Sequence, residues 1–345
     1  MNDLTKTKSV LAVLSGERRD PPPAWLMRQA GRYLPEYREV RSTAKNFIEF
    51  CLTPDKATEV TLQPIRRFGF DAAILFADIL LVPMALGRKV WFVAGEGPKL
   101  DPLTPGDIDA MQVGDVEGLL GNIGETVSRV SAALPGNTTL IGFAGSPWTV
   151  ATYMIEGGGS KDRMKARALA WSEPERFDRL MDLLADATIR YLVIQARAGA
   201  EVLKLFDSWA EGMPEPLFER AVLKPTAKIV GGVRAAGVTQ PMIGFARGCG
   251  AMLPRYAAET GVTAVALDQG VDPVWADAVL PAGMPVQGQL DPAVLRAGGP
   301  ALDAEVKRNI SAWAKRPHIF NLGHGVTPDV PIAHVEQLLA TLRQD

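Results

Sequence analysis

Apolar and polar positions alternate along this chain in a repeating beat. Short apolar runs fall at 23–28, 70–77, 139–144, 202–206, 242–246, 263–267, 285–288 and 318–322, each followed by a loop and a helix-length amphipathic segment. Runs that are apolar at successive positions predict strands covered on both faces, the situation of a parallel sheet. Eight such units in succession predict a (β/α)8 barrel.

The helix starts carry their own signal. Thr53-Pro54, Thr104-Pro105, Asp272-Pro273, Asp291-Pro292 and Thr327-Pro328 each pair a capping side chain with a proline, whose fixed φ suits the first helical position. The competing architecture is an open doubly wound sheet. It would carry a glycine-rich phosphate turn after its first strand, and Arg28-Gln29-Ala30-Gly31-Arg32 is not one; nor do Gly157–Gly159 or Gly248-Cys249-Gly250 complete such a fingerprint. The length of 345 residues allows two domains. No linker, charge block or low-complexity tract divides the chain, so one barrel domain over 1–345 is expected, with a short N-terminal arm over 1–20 and a hairpin excursion over about 88–100.

Composition narrows the function. With 47% apolar and 22% charged residues the chain is an ordinary soluble protein, which excludes disordered and collagen-like classes. The formal net charge of −2 gives no global field toward nucleic acid or an anionic membrane, so an anionic partner must be met by a local cluster. Two distant cysteines form no disulfide framework, and three histidines leave little material for metal binding, so no metal site is expected. The stretch 72–86 is broken by Asp78 and Pro83 and falls short of the roughly 18 apolar residues of a membrane span. A cytoplasmic protein is the expectation.

Functional groups of such a barrel come from the C-terminal ends of its strands. The first of these carries Arg28 and Arg32, with Arg38 and Arg41 beyond Pro35. Guanidinium forks bind carboxylates bidentately and stay charged when desolvated, so the loop is read as a polyanion clamp. Arg38 and Arg41 have a simpler use, ion pairing with Glu36 and Glu39 on a solvated helix. Asp78 interrupts an apolar run, where a lone carboxylate needs a partner: it either pairs structurally or is held as an acceptor for a ligand's N–H groups. His324 stands between glycines that let it approach a ligand closely, and Tyr153 and Ser208 are neutral donors near strand ends. Asp207 can equally partner an arginine. Lys204 lies inside an apolar run with nothing beside it to argue for Schiff-base chemistry, and there is no H-E-x-x-H, CxxC or G-x-S-x-G motif.

Five segments carry a resemblance: WLMRQAGRYLPEYREVR (25–41), LFADIL (75–80), GFAGSPWTVATYMIEGG (142–158), LFDSWA (205–210) and NLGHGV (321–326). In this order, across essentially the whole chain, the sequence resembles the uroporphyrinogen decarboxylases of haem biosynthesis. The resemblance implies a cofactor-free cytoplasmic barrel, a homodimer, that converts the four acetate arms of uroporphyrinogen III to methyl groups. It implies that Arg28, Gln29, Ala30, Gly31, Arg32 and His324 meet substrate carboxylates, that Asp78 accepts from the pyrrole N–H groups, and that Tyr153 and Ser208 complete the pocket. Protonating a pyrrole ring at carbon makes the ring the electron sink for the departing CO2, so no organic cofactor is needed. Asp78 then stabilises the cationic ring. The proton donor stays open among Arg28, Tyr153 and a substrate carboxyl. Two rivals remain: a zinc- and thiol-dependent methyltransferase on a related barrel, and a non-catalytic porphyrin-binding protein.

Overall fold

A computed structural model describes residues 8–93 and 95–344. Nine strands are found among them: β1 (Ala72–Ile74), β2 (Val90–Val93), β3 (Gly97–Leu100), β4 (Thr139–Gly145), β5 (Val202–Asp207), β6 (Met242–Ala246), β7 (Ala264–Ala266), β8 (Val286–Gln287) and β9 (His318–Ile319). Seven of them form one parallel sheet in the order β1-β4-β5-β6-β7-β8-β9, with helices between. Every residue of β4 and β6 is buried, the burial on both faces that their unbroken apolar runs require.

The eighth segment is a seam rather than a strand. Around Ala24 the chain bridges to Phe320, with Phe320 N–H donating to Pro23 O at 2.8 Å and Trp25 N–H to Phe320 O at 3.3 Å. On its other side Asp71 N–H donates to Ala24 O, and Ala24 N–H to the Asp71 carboxylate, both at 2.9 Å. The ring is closed, but the expected first strand shrinks to a bridge. Pro21, Pro22 and Pro23 explain this, since proline has no N–H to give a ladder.

The antiparallel pair β2 and β3 forms a hairpin after β1, with Val90 opposite Leu100. Of the N-terminal arm expected over 1–20, residues 1–7 lie outside the described residues. The part that follows holds a helix, Ser9–Leu14, which buries Val10, Ala12 and Val13 beneath the sheet. Lys8 fixes its start by donating to Thr138 O at 2.8 Å and Glu201 Oε2 at 2.6 Å.

Thr104, Asp272 and Asp291 accept backbone N–H bonds as helix caps. Thr53 precedes a helix, but its hydroxyl turns back to Glu49 O. Thr327-Pro328 starts only a turn, and the helix waits until Ile332. The reason is Pro331, which stands where the first i to i−4 bond would need an N–H.

Candidate active site

The seam segment ends in a turn that presents Arg28. Asn321, fully buried, accepts from Met27 N–H at 3.0 Å and Leu322 N–H at 2.8 Å, while Val326 N–H donates to Met27 O at 2.8 Å. These bonds tie the turn to the chain after β9. Arg28 itself is held in left-handed backbone at φ 62, a conformation that costs a non-glycine residue about 1 kcal/mol or more. Its side chain and that of Arg32 are exposed at the mouth, and neither has a carboxylate partner among the described residues.

Gln29 has a different place from the one expected of a substrate contact. It is fully buried: its amide donates to Ala72 O at 3.0 Å, its side-chain oxygen accepts from Leu26 N–H at 3.0 Å, and its carbonyl accepts from Tyr33 O–H at 2.8 Å. Its amide latches the turn onto β1, and its other polar groups are spent within the turn itself. The amides of Ala30, Gly31 and Arg32, by contrast, have no acceptor among the described residues and remain available to a carboxylate.

Arg38 and Arg41 correct the solvated-helix expectation. Arg38 donates to Arg32 O at 2.7 Å, and Arg41 donates to Ala44 O at 3.2 Å with its guanidinium 5.7 Å from the centre of the Phe50 ring. Glu36 is taken instead by Arg67 at 2.7 Å. The helix Pro35–Ser42 lies on an aromatic group in which Tyr37 meets Phe50 and Phe76 edge to face and those two rings tilt against each other, which the polar pattern of its exposed face does not disclose.

Asp78 stands beyond β1, half-buried beside this group. Its Oδ1 accepts from Leu80 N–H at 2.8 Å, and no cation lies within ion-pair distance among the described residues. Burial raises its carboxyl above the usual value; the Leu80 N–H and the charge of Arg28 oppose the rise. Tyr153, on the helix Pro147–Glu156 after β4, feels Asp78 as well: burial first, then that negative charge, push its phenol up, so it is a hydrogen-bond donor at neutral pH. Ser208, after β5, is half-buried with its hydroxyl unbonded among the described residues.

His324 follows β9. Burial, with the charges of Arg28 and Arg247, lowers it to about 4, so at neutral pH it is an uncharged imidazole that offers one N–H. Its flanking glycines serve the protein, contrary to the expectation of ligand approach. A Cβ on Gly323 would lie 2.6 Å from Gln269 Oε1, and one on Gly325 would strike the stem of Arg28.

Asp78, Tyr153 and His324 each feel the charge of Arg28 and so share one mouth with it, while Arg32 and Ser208 follow the seam and β5 at the same end of the barrel. Other groups there carry no motif to mark them. Arg163 is buried and lies 4.8 Å over Trp209, whose ring meets Tyr153 at 6.2 Å. Asp207 is fully buried, accepts from Thr149 O–H at 2.6 Å and is pushed by burial to about 7. It pairs with no arginine among the described residues. Lys204 is fully buried in the ring among Trp25, Phe206 and Phe245, and burial drives its amine well below the usual value. Cys51 and Cys249 are free and buried, and no three of the described His, Cys, Asp and Glu side chains gather as metal ligands.

Fold and site together define a (β/α)8 barrel with a guanidinium-rimmed mouth over a half-buried carboxylate. The uroporphyrinogen decarboxylase profile matches residues 5–344. The chain is 70% identical over 343 residues to the uroporphyrinogen decarboxylase of Maricaulis maris, covering 99% of each, and 54% identical to that of Hyphomonas neptunium, covering 98% of this chain and 99% of that one. It belongs to the uroporphyrinogen decarboxylase family. Among solved structures, a methyltransferase from Methanosarcina mazei superposes with a TM-score of 0.78 over 97% of each chain at 19% identity, a likeness of fold alone.

Proposed function

We propose that this chain is a carboxy-lyase that removes CO2 from the four acetate arms of uroporphyrinogen III in turn, leaving methyl groups and giving coproporphyrinogen III. The observation that carries the reading is Asp78: a half-buried carboxylate with one oxygen on Leu80 N–H and, among the described residues, no cation paired to it. An ionised carboxylate only accepts hydrogen bonds, so its free lone pairs match the inward N–H groups of a domed porphyrinogen. When the ring takes a proton at carbon, the same charge faces a developing cation and lowers the barrier to loss of CO2.

The rim meets the periphery of the macrocycle. Arg28, Arg32 and the free amides of Ala30 and Gly31 bind carboxylates, and Tyr153, Ser208 and His324 supply neutral donors. Tyr153 and a substrate carboxyl are the groups in this reading that hand over the ring proton. The reading needs no metal or organic cofactor, and it includes a homodimer in the cytoplasm. No described helix is long and apolar enough to cross a membrane.

Incubation with uroporphyrinogen, with CO2 release and product carboxylates counted, tests the activity. Products with seven down to four carboxylates are expected. Tight binding without CO2 release would leave a porphyrin-binding protein instead. Sedimentation equilibrium tests the dimer.

A further inference from the structure

A second cluster of charge lies on the wall of the mouth across from Arg28. Round the ring the seam is followed by β1, β4, β5 and β6, so in a ring of eight segments the end of β6 is diametrically opposite the seam. Arg247 stands immediately after β6. Arg163 reaches the same place from the loop before the helix Met164–Ser172, in left-handed backbone at φ 53.

Both guanidinium groups converge on Glu211. Arg163 Nη2 donates to Glu211 Oε1, and Arg247 Nη1 is 3.8 Å from Glu211 Oε2. Gly248, at φ 70, makes room for this, because a Cβ there would lie 2.6 Å from Glu211 Cβ. One carboxylate is thus shared by two cations. Among the described residues Arg163 Nη1 and Arg247 Nε are buried without an acceptor and Glu211 Oε2 is buried without a donor, while the Arg163 side chain is only 8% exposed and that of Arg247 is 30% exposed. Asp207 lies near Glu211 and Arg163, and Asp268 accepts from Gly248 N–H beside Arg247, so the wall carries both signs of charge. Buried guanidinium N–H groups without acceptors cost free energy, and it is these unused donors that suit an added carboxylate.

Uroporphyrinogen carries two carboxylate arms on each of its four rings, so when Arg28 and Arg32 hold one side, arms on the far side meet the opposite wall. We propose that Arg163 and Arg247, bridged by Glu211, form a second carboxylate-binding pole that sets the orientation of the macrocycle over Asp78. This rests on the reading of uroporphyrinogen as substrate. Glu211 occupies part of the donor set, so it spaces the two guanidinium groups and also competes with the incoming arm.

That competition supplies the test. Decarboxylation of uroporphyrinogen is followed for the unaltered chain and for Arg163→Gln, Arg247→Gln, Arg247→Lys and Glu211→Gln, with melting temperatures alongside. Each arginine-to-glutamine change is expected to raise KM about five- to tenfold, the loss of one partly desolvated charge contact. Arg247→Lys keeps the charge without the fork and recovers part of that loss. Glu211→Gln removes the competing anion and lowers KM. A cluster that merely braced the wall would respond the other way: Glu211→Gln would raise KM and lower the melting temperature together with the arginine variants. That result, or arginine variants with unaltered KM, overturns the second pole while the activity stands. An unaltered chain that releases no CO2 overturns the reading of function itself. If an arginine variant does not fold, the sign of the Glu211→Gln effect decides.

Discussion

Gly325 lies against the stem of Arg28, so closely that a Cβ on it would sit 2.7 Å from Arg28 Cγ and 3.0 Å from Nε. The stem has little freedom to retreat, because the left-handed turn beneath it is tied on both sides by Asn321 and Gln29. Gly325→Ala should therefore displace the guanidinium and lower kcat/KM about ten- to a hundredfold, the scale of a misplacement near 1 Å. The melting temperature should change little. A variant with unaltered kinetics would show that Arg28 does not need this placement.

Asp78→Asn keeps the size of the side chain but replaces an ionised acceptor with a group that also points N–H donors at the pyrroles. The charge matters more to a protonated ring than to the neutral substrate, so the loss should fall on kcat, about 10²–10³-fold. Folding should survive. Parallel measurement of kcat, substrate affinity and melting temperature checks this, and a folded variant turning over at the usual rate would make Asp78 a structural carboxylate.

Arg32 and Arg41 should separate along binding and stability. Arg32 is exposed at the mouth without a carboxylate partner among the described residues, and Arg32→Ala should cost about 2–4 kcal/mol in transition-state stabilisation if it meets a desolvating substrate arm. Arg41→Ala removes a guanidinium from the Phe50 ring and from Ala44 O, which should cost about 1 kcal/mol of folding stability. Denaturant titration and kcat/KM, taken together on both variants, check the separation. Equal kinetic effects would contradict it.

His318 makes stability depend on pH. Buried at the start of β9, its Nε2–H donates to Gly288 O at 2.6 Å, and burial lowers its pKa to about 4. The unfolded chain then binds the proton first. Stability from the neutral ring is complete above about pH 6.5 and is lost as the pH falls toward 4, up to about 3 kcal/mol. His324, also lowered to about 4, adds in the same direction, while Asp207, raised to about 7, favours the folded state at low pH. Comparing His318→Gln with the unaltered chain isolates the one group. The stability gap between them should narrow by about 3 kcal/mol from pH 7 to pH 4 in urea titrations, and a constant gap would count against a buried neutral ring.

Exhaustive chelation should leave the decarboxylation rate unchanged. The reaction as read draws its electron sink from the substrate ring. A loss of rate that zinc restores would point back to the methyltransferase chemistry.

The barrel was legible because it is written in period: apolar runs long enough to be covered on both faces, and prolines at helix starts. Where two local signals compete, the written pattern is incomplete. Pro21 to Pro23 lead into the first apolar run yet remove the donors a strand needs there, and Pro331 cancels the helix start at Thr327. At the mouth, strand-end position, the interrupted apolar run at Asp78 and the glycines about His324 were the signals the sequence offered, and Asp78, Tyr153 and His324 lie where each feels the charge of Arg28. What could not be read was partnership. Gln29 looks like its neighbours in the motif but spends every polar atom on the turn, and Arg41 finds an aromatic ring and a carbonyl rather than the acidic residues nearest in sequence. Arg163 lies in a loop with no motif, and only the folded chain brings it over Trp209.

The bridge at Ala24 gives the ring one joint weaker than its others, and the guanidinium of Arg28 hangs four residues beyond it. A ligand gripped from both sides of the mouth spans that joint like a keystone. Part of its binding free energy then appears as resistance to opening the ring, so the amides of Ala24 and Trp25 would slow their hydrogen exchange when the mouth is filled, ahead of those in β4 and β5.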